Sequence, residues 1–137
     1  MKNNKGFTLI ELMATIIILS VIAAITIPKI SKTVSETRQE IAIDNAYGYI
    51  KSIDKYYLHK TMNKEDIKLE GEYEVNEKGN LYNTTETHPI EIEGKPPLNG
   101  QLTYLNNELT NGCLTIGNYK ITFIDGKITN TEKGSCK

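Results

Sequence analysis

Gly6-Phe7-Thr8-Leu9-Ile10-Glu11 opens an apolar run that reaches Ile27, and Glu11 is the only charged residue in the 21 positions from Phe7 onward. A helix needs about 20 apolar residues to cross the ~30 Å hydrocarbon core of a bilayer. An ionised side chain in such a segment costs roughly 2.5–3.5 kcal/mol on insertion scales, so it normally has a partner. A cut between Gly6 and Phe7 would create one, a new terminal ammonium. Glu11 lies four residues after Phe7, about one helical turn, and can face that ammonium on its own chain or on a packed neighbour. Gly6 suits the cut, because a residue without a Cβ gives a protease close access to an extended backbone. Lys2 and Lys5 precede the run, so the leading segment stays on the cytoplasmic side by the positive-inside rule.

An ordinary secretory signal is the competing reading. Such a peptide has an apolar core of about 7–15 residues followed by a small-residue cleavage site. Val21-Ile22-Ala23-Ala24 is a poor site of that kind. The core here is too long, and Glu11 weakens it. A retained helix fits better.

The residues Lys5-Gly6-Phe7-Thr8-Leu9-Ile10-Glu11-Leu12, followed by an apolar helix and then Pro28, resemble the signature of prepilins. That signature is shared by type IV pilins and the pseudopilins of type II secretion systems. The resemblance covers about the first 30 residues; beyond Pro28 it is architectural only. It implies that a membrane-embedded peptidase cuts after Gly6 and methylates Phe7, and that Glu11 is the acidic residue used in filament assembly. It implies a leader over residues 1–6, a transmembrane and filament-core helix over 7–28, and a globular domain over 29–137. The fold it implies is α+β, a long N-terminal helix packed against a small antiparallel sheet.

After Pro28 the helix continues in amphipathic form. Ile30, Val34, Ile41, Ala46, Ile50, Ile53 and Tyr57 recur at intervals of three or four with one seven-residue step, the spacing of one helix face. The pattern lapses before Asn63-Lys64, which predicts an end near Tyr57–Thr61. Pro28 removes a backbone donor and crowds the preceding turn, so a kink is expected there. Gly48 is a second weak point, costing about 1 kcal/mol relative to alanine.

From Ile67 onward the pattern is of strands and turns. Residues 72–75 alternate and Lys78-Gly79-Asn80 reads as a turn before Leu81-Tyr82. Residues 84–100, with Pro89, Pro96 and Pro97, read as loop. Residues 101–105 are strand-like, Asn106-Asn107 suits a tight turn, and Leu114-Thr115-Ile116 leads into residues 119–124. Asp125-Gly126 is a type I′ hairpin signal before Lys127-Ile128-Thr129. Tyr119, Ile121 and Phe123 share one face and are expected against Tyr47, Ile50, Ile53 and Tyr57. A sheet of three or four strands is expected.

Cys113 and Cys136 are the only cysteines. An even pair in an exported small domain reads as a disulfide, and type IV pilins often carry such a C-terminal bridge, so the resemblance points the same way. Closing a loop of about 24 residues stabilises by roughly 3 kcal/mol in the chain-entropy model. Two free thiols in a reducing compartment are the alternative. With no histidine nearby, two cysteines make a poor metal site. Major pseudopilins typically bind calcium in their C-terminal loops, but Asp125 and Glu132 supply too few oxygen ligands here. No metal and no cofactor is expected.

His59 and His88 have no serine or cysteine neighbour that indicates a triad, and each reads as a surface histidine. Glu72/Glu74 and Glu91/Glu93 sit at strand spacing on solvent faces. Asn83-Thr84-Thr85 fits a glycosylation acceptor, a short and common pattern. Of the eight tyrosines, Tyr47, Tyr49, Tyr56 and Tyr57 cluster on the helix, as packing and contact groups. About 105 residues follow the membrane segment, enough for one small domain. The formal charge is −1 overall; Lys2, Lys5, Lys29 and Lys32 outweigh Glu11 by three in residues 1–32, which leaves −4 on the remainder. That balance argues against nucleic-acid binding, which relies on clustered positive charge.

The sequence thus reads as a structural subunit and not an enzyme. By resemblance it waits in the inner (cytoplasmic) membrane as a single-pass protein and then joins a homo-oligomeric pilus filament at the cell surface. Its implied partners are a prepilin peptidase, an assembly ATPase and a membrane platform protein. A pseudopilin of a secretion or competence system, or a minor pilin, remains the alternative.

Overall fold

The computed structural model describes residues 6–83 and 89–136. The chain divides into two compact units, Met1–Arg38 and Gln39–Lys137. One helix, α1 (Leu9–Met62), contributes to both. Six strands follow: β1 (Gly71–Val75), β2 (Leu81–Asn83), β3 (Asn99–Leu105), β4 (Glu108–Ile116), β5 (Tyr119–Ile124) and β6 (Lys127–Lys133).

In the first unit every described side chain is exposed. Its part of α1 has a mean hydropathy of 2.5 over an 18-residue window, none of it buried, and by length and composition the helix can cross a membrane. The hydroxyls in the apolar run are satisfied within the helix. Thr15 Oγ1 donates to the Leu12 carbonyl, Ser20 Oγ to Ile16 and Thr26 Oγ1 to Ile22, each at 2.7 Å. Such bonds leave no hydroxyl proton unpartnered, as an apolar surrounding would require. The helix runs on through Pro28, whose ring removes the N–H that would bond the Ala24 carbonyl.

In the second unit the rest of α1 lies on one face of an antiparallel sheet ordered β2-β1-β3-β4-β5-β6. This is the expected α+β architecture, with six strands in place of three or four. The helix contributes Ala42, Ala46, Tyr49, Ile50 and Ile53 to the core; the sheet contributes Tyr73, Val75, Leu81, Leu102, Tyr104, Leu114, Tyr119, Ile121 and Phe123. Tyr47 meets Phe123 edge to face at 6.2 Å, and Tyr57 packs at the margin. Ile41, expected on the buried face, is half exposed, and Ala42 takes the place beneath the sheet. Ile30 and Val34 belong to the first unit and are exposed as well.

The turns follow from local chemistry. Asn106 and Asn107 both take positive φ, 52° and 68°, as do Asp125 and Gly126, 50° and 70°. Two successive positive values are what a type I′ turn demands, and its twist matches that of the flanking strands. Between β1 and β2, Asn76 Oδ1 accepts from the N–H groups of Lys78 and Asn80 at 3.0 and 2.8 Å. The helix extends to Met62, slightly past its expected end; Lys60 Nζ pairs with Glu65 Oε2 at 2.8 Å just beyond. The stretch expected as loop splits: Asn99 and Gly100 belong to β3, Ile90 exchanges two backbone bonds with Leu81, and residues 84–88 lie outside the described ones.

Tyr104 has a hydroxyl that is fully buried with no hydrogen-bond partner among the described residues. Burial, reinforced by the nearby Asp54 carboxylate, holds that phenol protonated far above its ordinary range. A buried polar group left unpaired costs about 1–3 kcal/mol. Tyr104→Phe is therefore expected to stabilise the second unit by about 1 kcal/mol, a rise of roughly 4–8 °C in Tm for a domain of this size. A fall in Tm on thermal denaturation would contradict the assignment.

Candidate functional site

The residues around the expected cut lie at the start of α1 and just before it. Gly6, Phe7 and Thr8 carry no regular structure. Phe7 is 84% exposed, and a Cβ placed on Gly6 would meet nothing within 4 Å. The bond between Gly6 and Phe7 thus sits in open, non-helical backbone, the form a protease active site accepts.

Thr8 explains why the helix begins at Leu9. Its backbone N–H donates to Glu11 Oε2 at 2.8 Å, and its hydroxyl donates to the same oxygen at 3.0 Å. The Glu11 N–H reaches back to Thr8 Oγ1 at 3.4 Å. This is a capping box: the residue before the helix and the third residue within it satisfy each other's free groups. The negative charge also sits at the positive end of the helix dipole. Glu11 therefore has partners in the single chain before any neighbour is considered. Sequence reasoning located Glu11 by its isolation in the apolar run and passed over Thr8. The signal that finds it is Thr8-x-x-Glu11 ahead of a hydrophobic stretch.

Cys113 and Cys136 are bonded, with their Cα atoms 5.9 Å apart. The C-terminal tail is held back against β4 around this bridge. The Cys136 N–H donates to Thr115 Oγ1 at 2.9 Å, that hydroxyl donates to Asn99 Oδ1 at 2.7 Å, and Asn99 Nδ2 lies 3.4 Å from Ser135 Oγ. Thr115 is buried by this arrangement.

A groove of about 430 Å³ lies between α1 and the segment joining β2 to β3, lined by Ser52, Lys55, Tyr56, His59, Glu91, Glu93 and Gly94. Glu91 and Glu93, in the stretch expected as loop, lie in irregular chain. Lys55, Glu91 and Glu93 are its charged lining residues. Among the described residues no three histidine, cysteine or acidic groups converge as metal ligands. His59 is exposed in the last turn of α1 and contacts Asn63. His88 and the threonines of the Asn83-Thr84-Thr85 pattern lie outside the described residues. Asp125 occupies a turn and Glu132 pairs with Lys120 at 3.5 Å.

Residues 1–27 match the family described as the prokaryotic N-terminal methylation motif. The chain is 32% identical over 111 residues to the type IV major fimbrial protein FimA of Dichelobacter nodosus, an overlap covering 81% of this chain and 64% of that one. It is 39% identical over 57 residues to the fimbrial protein EcpC of Eikenella corrodens, covering 42% and 37% respectively. The chain thus spans less than two thirds of the length of either relative. No solved structure matches it. A methylation motif, a helix with an uncovered apolar stretch, a sheet on the later part of that helix and similarity to fimbrial proteins agree with one another: the chain carries the prokaryotic N-terminal methylation motif and is similar to type IV fimbrial proteins.

Proposed function

We propose that this protein is a structural subunit of a type IV pilus, made as a membrane-anchored precursor and assembled through α1. The observation that carries the reading is the uncovered apolar face of residues 9–27, interrupted by one carboxylate and preceded by an exposed Gly6–Phe7 bond. In the precursor that face lies in lipid, and residues 1–6 form a leader on the cytoplasmic side of the inner membrane, which the helix crosses once. A prepilin peptidase removes the leader and methylates Phe7. The apolar faces of neighbouring subunits then replace lipid, with Glu11 of one subunit paired to the Phe7 ammonium of another. Pro28 gives the helix a place to bend as subunits pack.

The pairing sets register because its alternative is expensive. A carboxylate and an ammonium shut into a water-poor core without each other are heavily penalised, whereas together they offset much of their desolvation. Contacts of this head-to-tail kind do not close on themselves and so propagate into a fibre. An assembly ATPase and a platform protein in the membrane would drive the extension. A pseudopilin would share the N-terminus; the fimbrial relatives on both sides of the comparison favour a pilus subunit.

The test is the intact mass of the membrane-associated protein with and without the peptidase. The expected product begins at Phe7, carries one extra methyl group and lacks two hydrogens at the Cys113–Cys136 bridge. A product beginning near Ile25 would mean signal-peptide removal, and the filament reading would fall.

A further inference from the structure

We infer that Thr8 is a positioning residue for assembly, holding one oxygen of the Glu11 carboxylate so that the other is presented to a neighbouring subunit; this rests on the pilus reading above. The geometry is asymmetric. Both Thr8 donors, the backbone N–H at 2.8 Å and the hydroxyl at 3.0 Å, go to Oε2. Oε1 has no donor among the described residues. A carboxylate oxygen bound on one side and open on the other suits capture of a single incoming ammonium.

The helix has a physical need for such a holder. Glu11 stands among Leu9, Ile10, Leu12 and Met13, all more than half exposed, on a surface that meets lipid and then other helices. An unheld glutamate side chain samples several rotamers there, and each subunit would have to freeze it on docking. Two bonds to Thr8 freeze it beforehand, and such preorganisation lowers the cost of association. The same bonds supply partners while the subunit waits in the membrane, where a bare carboxylate is costly. They also fix Leu9 as the first helical residue, which leaves Gly6 and Phe7 outside the helix and sets the terminal ammonium about one turn from the carboxylate.

Three variants of the full chain separate the roles, each expressed as the only source of the subunit. Thr8→Val keeps the shape and the backbone donor but loses the hydroxyl, and so loses two of the three bonds. Thr8→Ser keeps the hydroxyl. Glu11→Gln keeps an acceptor for the cap but removes the charge. Filament recovered by shearing is measured against the processed subunit left in the membrane. Thr8→Val is expected to lower filament yield by about five- to tenfold, in line with loss of a helix cap, and Thr8→Ser is expected to restore it. Full yield from Thr8→Val, or a Thr8→Ser variant as poor as the valine, overturns the inference. Glu11→Gln tests the ion pair separately: filaments at normal yield from it would remove the Glu11–ammonium pairing, whatever the threonine variants do.

Discussion

Phe123→Ala is expected to remove about 3–5 kcal/mol of stability, the range for emptying a large aromatic site in a core. Phe123 is 1% exposed and lies in β5, opposite Gly112 on one side and Ile128 on the other. Its ring meets the edge of Tyr47 on the helix. Little around it can fill the space. Gly112 has no side chain, and Tyr47 is kept near the surface, where its hydroxyl lies 3.4 Å from the Ile128 N–H. The loss also removes an aromatic pair worth about 0.5–1.5 kcal/mol beyond buried area. Since a small domain is stable by only about 5–15 kcal/mol, the variant should unfold at much lower denaturant.

Ile124 provides the control. It is the next residue on the same strand, points to the other face and is 48% exposed. Ile124→Ala is expected to change stability by no more than about 0.5 kcal/mol. The measurement is guanidinium unfolding of the full chain in detergent micelles, followed by the near-ultraviolet dichroism of the tyrosines. Equal midpoint shifts for the two variants would mean that the helix does not cover the face of the sheet bearing Phe123.

The contrast between these two neighbours was legible in the sequence, because strand alternation has a period of two and the residues from Tyr119 to Phe123 obey it. The hairpin turns were legible too: few residue pairs other than Asn-Asn and Asp-Gly accept two positive φ angles cheaply. The number of strands was not. β2 has only three residues, too few to display a period. β4 contains Asn111 and Gly112, which look like turn residues, but Gly112 is there for close packing. A Cβ on it would come within 2.6 Å of Leu102 Cδ2. β6 is a sheet edge and is polar along much of its length, as edge strands are when they avoid pairing with other chains.

On the helix, hydropathy favoured Ile41 over Ala42, although Ala42 precedes Ala46 by four and falls on the buried line. Small residues carry little hydropathic signal, yet they let a helix approach a sheet closely. At the N-terminus, the isolated charge of Glu11 stood out against its apolar surroundings, whereas a neutral hydroxyl at Thr8 did not. The role of Thr8 lies in spacing, and only the bonding geometry gives that spacing its meaning.

Glu11→Ala should move two measurements in opposite directions. Alanine removes the one charge from the apolar run, so the precursor gains roughly 2.5–3.5 kcal/mol on insertion scales and should enter the membrane at least as well as the wild type. The same change deletes the acceptor for Thr8 and, in the proposed filament, the partner for the neighbour's ammonium. Assembly then buries an unpaired ammonium against apolar helices, where loss of one member of a buried pair costs about 3–5 kcal/mol at each contact. Repeated at every subunit, that cost should abolish filaments, since each factor of ten in an equilibrium corresponds to about 1.4 kcal/mol. The assay compares membrane and sheared fractions in a strain lacking the wild-type subunit. Full membrane recovery with no sheared filament is the expected result. If both fractions fell together, Glu11 would be acting on folding or insertion. Normal filaments would show that packing of the apolar faces sets the register without it, and the single charge in residues 7–27 would need another explanation.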